Sequence, residues 1–501
     1  MSDLDIIVLL IYIFGVTAFG AWFYRKSSSA EGFTAANRGL PGWAVGLSIF
    51  GTYLSSISFL ALPGKAYSDN WNAFVFSLSL PLAAWVAVKW FVPLYRSTSD
   101  ISAYAYLERR FGVWARLYAM IFYLLTQLAR MGTIMFLVAL ALERLTGWDI
   151  ETIIVTSGVL VTFYTVVGGI EAVIWTDVVQ AVILTLGATV CALLLLFGMP
   201  EGPGQLFEMA DSAKKFSLGS FQPVFTSSTF WVVLLYGIVV NLQNFGIDQS
   251  YVQRYQTARS LKEARRSIWI GALTYVPVSA LFLFIGVGLF AYYGAHPELL
   301  PQSLHATGMG DRVFPQFIVS ELPAGVTGLM IAALAAAAMS SIDTSINSSA
   351  TILLTDIYRR FIRPDADDAM QLRFLRVITV VLGVAGTTTA LLMISIKSAL
   401  DTWWSLAGIF SGGMLGLFLL GAFSRRAGST QAAAGMVLGI LVIIWATFSR
   451  GLSGPLANSL HSFMTTVLGT ITIFGVGILL SRHRQRRRKS DPPVTVHDLV
   501  Q

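Results

Sequence analysis

Residues 46–65 read GLSIFGTYLSSISFLALPGK. The run is apolar enough to enter a bilayer, yet Gly51, Thr52, Ser55, Ser56 and Ser58 interrupt it, and Pro63 with Gly64 closes it. Glycine and clustered serine allow a membrane helix to unwind. The backbone carbonyls so freed are tolerated only where they are buried in protein or line a cavity. A broken helix of this kind offers oxygen to something small and positive.

The surrounding chain is membrane-like throughout. Hydrophobic residues make up 55% and charged residues 12%, against about 25% charged in soluble domains. Runs long enough to span occur at 4–24, 42–64, 73–95, 116–144, 151–167, 171–198, 229–250, 266–294, 314–354, 373–396, 403–423, 431–449 and 459–481. The expectation is an all-α polytopic membrane protein of about thirteen helices with its termini on opposite faces. Lys and Arg in alternate loops divide 24 against seven, the larger group including the tail Arg482, Arg484, Arg486, Arg487, Arg488 and Lys489. The positive-inside rule therefore predicts an external N-terminus and a cytoplasmic C-terminus. Residues 1–26 lack a basic start and their apolar run is too long for a signal peptide, so they read as a helix.

The net charge of +7 is spread among these loops. It marks topology and an affinity for anionic membrane lipid, and it argues against nucleic acid. Cys191 is the single cysteine and the five histidines have no metal-ligand spacing. No phosphate-binding loop is present, so ATP-driven pumping by this chain is not expected.

Other runs carry similar interruptions. From Ala335 the chain reads AAAAMSSIDTSINSSATILLTDIYRR, with six Ser or Thr, Asn347 and Asp343 between Ser340 and Ser349. Ser340, Ser341, Thr344, Asn347, Ser348 and Thr351 share an arc of roughly 120° on a helical wheel. Small hydroxyls often only glue helices together, but a carboxylate inside a membrane segment marks an ion or substrate path by default. Asp177 in EAVIWTDVVQAV is a second such carboxylate. In NLQNFGIDQSYVQRY, Asn241, Gln243, Asn244 and Gly246 suggest a second broken helix. Two broken helices five helices apart imply inverted repeats at 41–198 and 229–424, with the site at their interface. An N-terminal helix (1–30), two further helices (431–481) and a basic tail (482–501) flank them. Arg130 lies some 14 residues from either end of its run, about 20 Å and too deep to snorkel. It either pairs with a buried carboxylate or receives a solute carboxylate in two parallel bonds.

These landmarks together resemble the sodium:solute symporter family, which includes sodium-coupled sugar, iodide, proline and sialic acid carriers. The resemblance rests on PGWAVGLSIFGTYLSSISFLALPGKAY, YTVVGGIEAVIWTDVVQ, DQSYVQRY and NSSATILLTDIY. It is nearest to the bacterial sodium-coupled sialic acid transporters, in which an Arg stands in a context like that of Arg130. It implies a LeuT-type inverted-repeat fold, residence in the inner (plasma) membrane, and Na+ as coupling ion. The principal sodium site would comprise the carbonyls of Gly51, Leu54 and Ala337 with the hydroxyls of Ser340 and Ser341. A second would comprise Asp177, Ser340, Asp343 and Thr344, although Asp343 stands where the family pattern has Ser. Tyr53, Ser55, Ser58, Ala73, Ser77 and Arg130 would meet the solute, a sialic acid or another sugar acid. Of these, Tyr53, Ala73 and Ser77 depart from the sialic acid pattern.

A symporter of a neutral sugar, a polyol or another small carboxylate, with Arg130 structural, is the alternative within transport. The tail after Ser490 is too short for a signalling domain, which disfavours a membrane sensor. No interfacial His or carboxylate cluster supports a membrane enzyme, so no enzymatic activity is expected.

Overall fold

The computed structural model describes residues 2–98, 100–305, 309–395, 412–450, 452, 454–455 and 457–483. Helix α1 (Asp3–Trp22) begins at a capping box in which Ser2 and Asp5 bond each other's backbone amides. Helices α2 (Gly42–Tyr53) and α3 (Ser56–Ser68) are the halves of the interrupted run. Leu54 takes φ −89°, ψ 77°, and Ser55 caps the second half. The amide of Ser55 bonds Tyr53 O, which leaves Gly51 O outside the helical ladder. The bend between the flanking helices is 56°.

Helices α4 (Trp71–Arg96) and α5 (Val113–Thr146) follow. Helix α6 (Ile150–Phe197) is continuous in hydrogen bonding over 48 residues, about 70 Å at 1.5 Å per residue and more than twice a bilayer's hydrocarbon core. It is two arms meeting at Gly169, where φ is 57° and ψ −155°. A side chain there would meet Phe33 O at 2.8 Å. The arms coincide with the expected runs at 151–167 and 171–198.

The second interruption is displaced from its expected place. Asn241, Gln243, Asn244 and Gly246 are all helical within α7 (Phe230–Ile247), and the chain turns at Asp248. The Asp248 carboxylate accepts from the amide of Ser250 at 2.8 Å, and this cap starts the short α8 (Gln249–Gln256). Helix α9 (Leu261–Ala295) then packs on α2, with Gly46 facing Ile270 so closely that an added Cβ would lie 2.6 Å from it.

The run expected at 314–354 is two elements, an amphipathic α10 (Gly310–Ser320) and α11 (Val326–Ile352). Pro323 and Gly325, at φ +86°, separate them. Wider helical turns extend α11 to Ile362. Helices α12 (Asp368–Met393), α13 (Met414–Phe423), α14 (Ser429–Phe448) and α15 (Met464–His483) complete the chain. The first part of the run at 403–423 lies outside the described residues.

Among the described residues ten helices are long and apolar enough to cross a membrane, or eleven if the bent α2–α3 pair counts as one span. The protein is thus all-helical, with one isolated bridge, Leu40 to Ala258, as its β pairing among those residues. At its centre is α11, 89% of whose most apolar window is buried inside the protein. It packs against α1, α2, α5 and α6.

Candidate cation and solute site

The centre of the molecule is where α2 breaks beside α6 and α11. Asp177, fully buried, accepts from Ser340 Oγ at 2.5 Å on one oxygen and from Ser48 Oγ at 2.5 Å on the other. A side chain at Gly51 would reach Ser340 Oγ at 3.4 Å and Asp177 at 3.8 Å. Gly51, expected in the principal site, and Asp177, expected in the second, therefore both lie against Ser340, the residue common to the two. Ser341 donates to Ala337 O at 3.1 Å on its own helix, which joins two expected ligands locally. Leu54 is buried at the break, and among the described residues no hydrogen bond links it to Ser341.

The second constellation holds a side chain that the sequence did not point to. Arg254 of α8 lies in the basic stretch between two expected spans, yet it is 1% exposed. Its Nη2 bonds Asp177 Oδ2 at 2.9 Å and Thr344 Oγ1 at 2.5 Å, its Nε bonds Ser48 Oγ at 2.7 Å, and its Nη1 bonds Ser250 O at 2.8 Å. A guanidinium thus stands among Asp177, Ser340 and Thr344. Asp343 turns toward Tyr164, whose hydroxyl donates to it at 2.6 Å. The clue to Arg254 was general: a carboxylate deep in an apolar helix needs a positive partner, but nothing in the spacing said which.

The polar face of α11 divides its work. Ser345 donates to Gln127 of α5 at 2.7 Å, and Ser348 accepts from Tyr123 at 2.7 Å. Gln253 of α8 donates to Asn347 at 3.0 Å and Thr351 at 2.9 Å. These four hold helices together, the commonplace role of hydroxyls in membranes. Ser340, Ser341, Asp343 and Thr344 are the ones left near the break.

The expected solute residues are only partly assembled. Arg130 is half-buried and donates to Thr52 O at 3.3 Å, so α5 touches the α2 break. Among the described residues no carboxylate lies within ion-pair distance of it. Ser55 and Ser58 are 3.5 Å apart at the start of α3. Tyr53 packs its ring on Phe245, Tyr251 and Tyr275 with centroids 5.4, 4.8 and 5.4 Å away, and its buried hydroxyl has no hydrogen-bond partner. Ser77 is buried on α4, whereas Ala73 packs into a separate apolar cluster with Leu206, Ala210 and Leu283. The structure does not bring Ala73 to Arg130.

A second buried ion-pair network escaped the sequence reading. Asp356 accepts from Arg116 at 2.5 Å and Ser102 at 2.9 Å, and Arg116 also bonds Glu108 at 2.7 Å, which pairs with Arg360 at 2.7 Å. It ties the end of α11 to the start of α5 and to the short helix Ala105–Phe111.

Known proteins match this architecture. A model of the sodium:solute symporter family matches residues 33–439. The chain is 36% identical to the sodium/sialic acid symporter NanT of Aliivibrio fischeri, covering 98% of this chain and 95% of that protein. It is 34% identical to the sodium/sialic acid symporter SiaT of Proteus mirabilis, over 93% and 94% of the two chains. The solved structure of a Na+-coupled sialic acid symporter, substrate-bound and outward-open, superposes with a TM-score of 0.90 at 30% identity, covering 98% and 99%. Mhp1, a nucleobase-cation-symport-1 family transporter, shares the fold at 16% identity and a TM-score of 0.59. With its broken helix and buried carboxylates, the chain is a multi-pass membrane transporter rather than an enzyme, and it belongs to the sodium:solute symporter family.

Proposed function

We propose that the protein imports a sialic acid together with sodium by alternating access. The observation that carries this reading is Arg130: a guanidinium deep in the bundle, beside the broken helix, with no carboxylate in ion-pair contact among the described residues and Asp248 within electrostatic reach only. A planar fork so placed suits a carboxylate solute. The 34–36% identical relatives that carry sialic acid support the same solute. Tyr53 favours a second reading, a smaller carboxylate, because its ring fills space at the break among Phe245, Tyr251 and Tyr275.

Sodium would bind at Gly51, Leu54, Ala337, Ser340 and Ser341, tying α11 to the α2 break and completing the solute pocket. A second ion would engage Asp343 near Asp177. Solute then closes the outer path and the core rocks inward. Each ligand need only favour the state the other requires, and the coupling is reciprocal. We place the N-terminus outside and the C-terminus in the cytoplasm. Thirteen spans follow if α2–α3 counts as one, α6 as two at Gly169, and α13 marks another. The five-helix repeats then run over 41–198 and 229–424.

Stoichiometry sets the gradient. A tenfold sodium gradient supplies about 1.4 kcal/mol per ion, and 100 mV adds about 2.3 kcal/mol per net charge. Two sodium ions with one monoanion gain about 5 kcal/mol, enough for several thousandfold accumulation.

The test is uptake of labelled N-acetylneuraminate into proteoliposomes with an inward sodium gradient, at zero and at inside-negative potential. Sodium-dependent uptake that the potential increases is expected. Absence of uptake from protein that still binds sodium would exclude this solute and direct the search to smaller carboxylates.

A further inference from the structure

The two buried carboxylates beside the α2 break, Asp177 and Asp343, are not equally satisfied. Asp177 has Ser340 on one oxygen and both Ser48 and Arg254 on the other. Asp343 is fully buried and accepts from Tyr164 at 2.6 Å, with a long contact of 3.4 Å from Thr344 Oγ1. Among the described residues no ion pair reaches it, because Arg254 bonds Asp177 instead. An ionised carboxylate buried without a cation is among the costliest arrangements a membrane protein can hold.

Two polar groups, Tyr12 and Gln180, lie against each other on the Tyr12 side of Asp343. Gln180 lies one turn beyond Asp177 on α6, is 2% exposed, and has neither its amide nitrogen nor its carbonyl oxygen hydrogen-bonded. Tyr12 of α1 is buried with its hydroxyl 4.0 Å from Met339 Sδ, a weak acceptor, and it faces Gln180 and Asp343. A phenol that donates its proton to a carboxylate keeps its lone pairs, so Tyr164 also presents an oxygen. A carboxylate, an amide carbonyl and two phenols form a hard oxygen set that suits an alkali cation.

We propose that Asp343, Tyr12, Tyr164 and Gln180 form a sodium site between α1, the two arms of α6 and α11. It replaces the constellation of Asp177, Ser340, Asp343 and Thr344, in which Arg254 already supplies the positive charge. Helix α1 is then part of the coupling machinery. Its Asp5 anchors the same α11 by accepting from the amides of Gly325 at 2.7 Å and Gly328 at 2.9 Å. The inference rests on the sodium-coupled reading given above.

The experiment is equilibrium binding of radiolabelled sodium to the purified full-length chain, with thermal unfolding across a sodium titration as a second readout. The variants are Tyr12→Phe, Gln180→Leu and Asp343→Asn, with Ser341→Ala as the marker of the principal site. Two ions per wild-type chain are expected. Tyr12→Phe and Gln180→Leu should each raise half-saturation of one ion by about three- to tenfold and leave the other unchanged. Asp343→Asn should abolish one ion, and Ser341→Ala should weaken the other. Wild-type binding by both Tyr12→Phe and Gln180→Leu, with Ser341→Ala weakened, would overturn the proposed site alone. Absence of sodium binding by the wild-type chain would overturn the sodium-coupled reading and the site with it. The two conservative removals of one polar group each keep the test open if Asp343→Asn does not fold.

Discussion

Arg254 and Asp177 lie 2.9 Å apart with both side chains buried, a guanidinium and a carboxylate paired within the constellation expected from the sequence to hold a second sodium ion. The pair joins α8, beyond one broken helix, to α6, and Ser48 of the other broken helix bonds both members. It is a structural counter-charge at the point where α2, α6 and α8 meet.

Removing one member should therefore be costly. Arg254→Gln is expected to destabilise the protein by about 3–5 kcal/mol, the range for breaking a buried pair. Thermal unfolding in detergent would read this as a fall in Tm. Arg254→Lys, which keeps the charge but not the four-bond geometry, should fall between the two. A Tm unchanged in Arg254→Gln would show that the pair bears no structural load.

Ser341→Ala removes one oxygen from the proposed principal sodium site. The sodium concentration for half-maximal uptake should rise about tenfold, equivalent to about 1.4 kcal/mol. Unchanged sodium dependence would count against that site.

Arg130→Lys distinguishes a solute partner from a strut. Lys cannot make two parallel bonds, so the apparent affinity for a carboxylate solute should drop about tenfold to a hundredfold while a neutral analogue is little affected. Equal losses for both would mean that Arg130 only holds α5 against Thr52.

Gly169 occupies left-handed backbone with Phe33 O where a side chain would begin. Gly169→Ala should cost about 1–3 kcal/mol from backbone strain, plus the displacement of residue 33. Urea unfolding would measure it. A neutral substitution would imply that the two arms can re-pack.

The Glu108 network gives a pH test outside the spans. Burial alone would raise the Glu108 carboxyl, but its bonds to Arg116 and Arg360 and their charges prevail and hold it below its ordinary value. Its folded form thus prefers the charged state, so its contribution is present above the ordinary carboxylate range and is lost as pH falls through the lowered value. Glu108→Gln should reduce Tm at neutral pH, and the difference from wild type should shrink as pH falls below about 4. A difference constant with pH would place the effect in packing.

The amino-acid sequence by itself determined the all-helical membrane class and the first broken helix, because hydrophobic length and helix-weakening residues are local properties. Residues 46–65 announce their own break, and Asp177 and Asp343 their own cost. Even so, the second break came out at Asp248 rather than at Asn241–Gly246, since the cap to Ser250 outweighed the polar run inside α7. Partnership was decided only by tertiary structure. Arg254 is 77 positions from Asp177, and Arg116 is 240 from Asp356. Hydrogen bonds at such separations depend on which helices pack together, and no periodicity along the chain records that. The same holds for Tyr12 and Gln180: each is an ordinary polar residue on an apolar helix until the packing of α1 and α6 against α11 brings them together near a carboxylate that no cation directly contacts among the described residues.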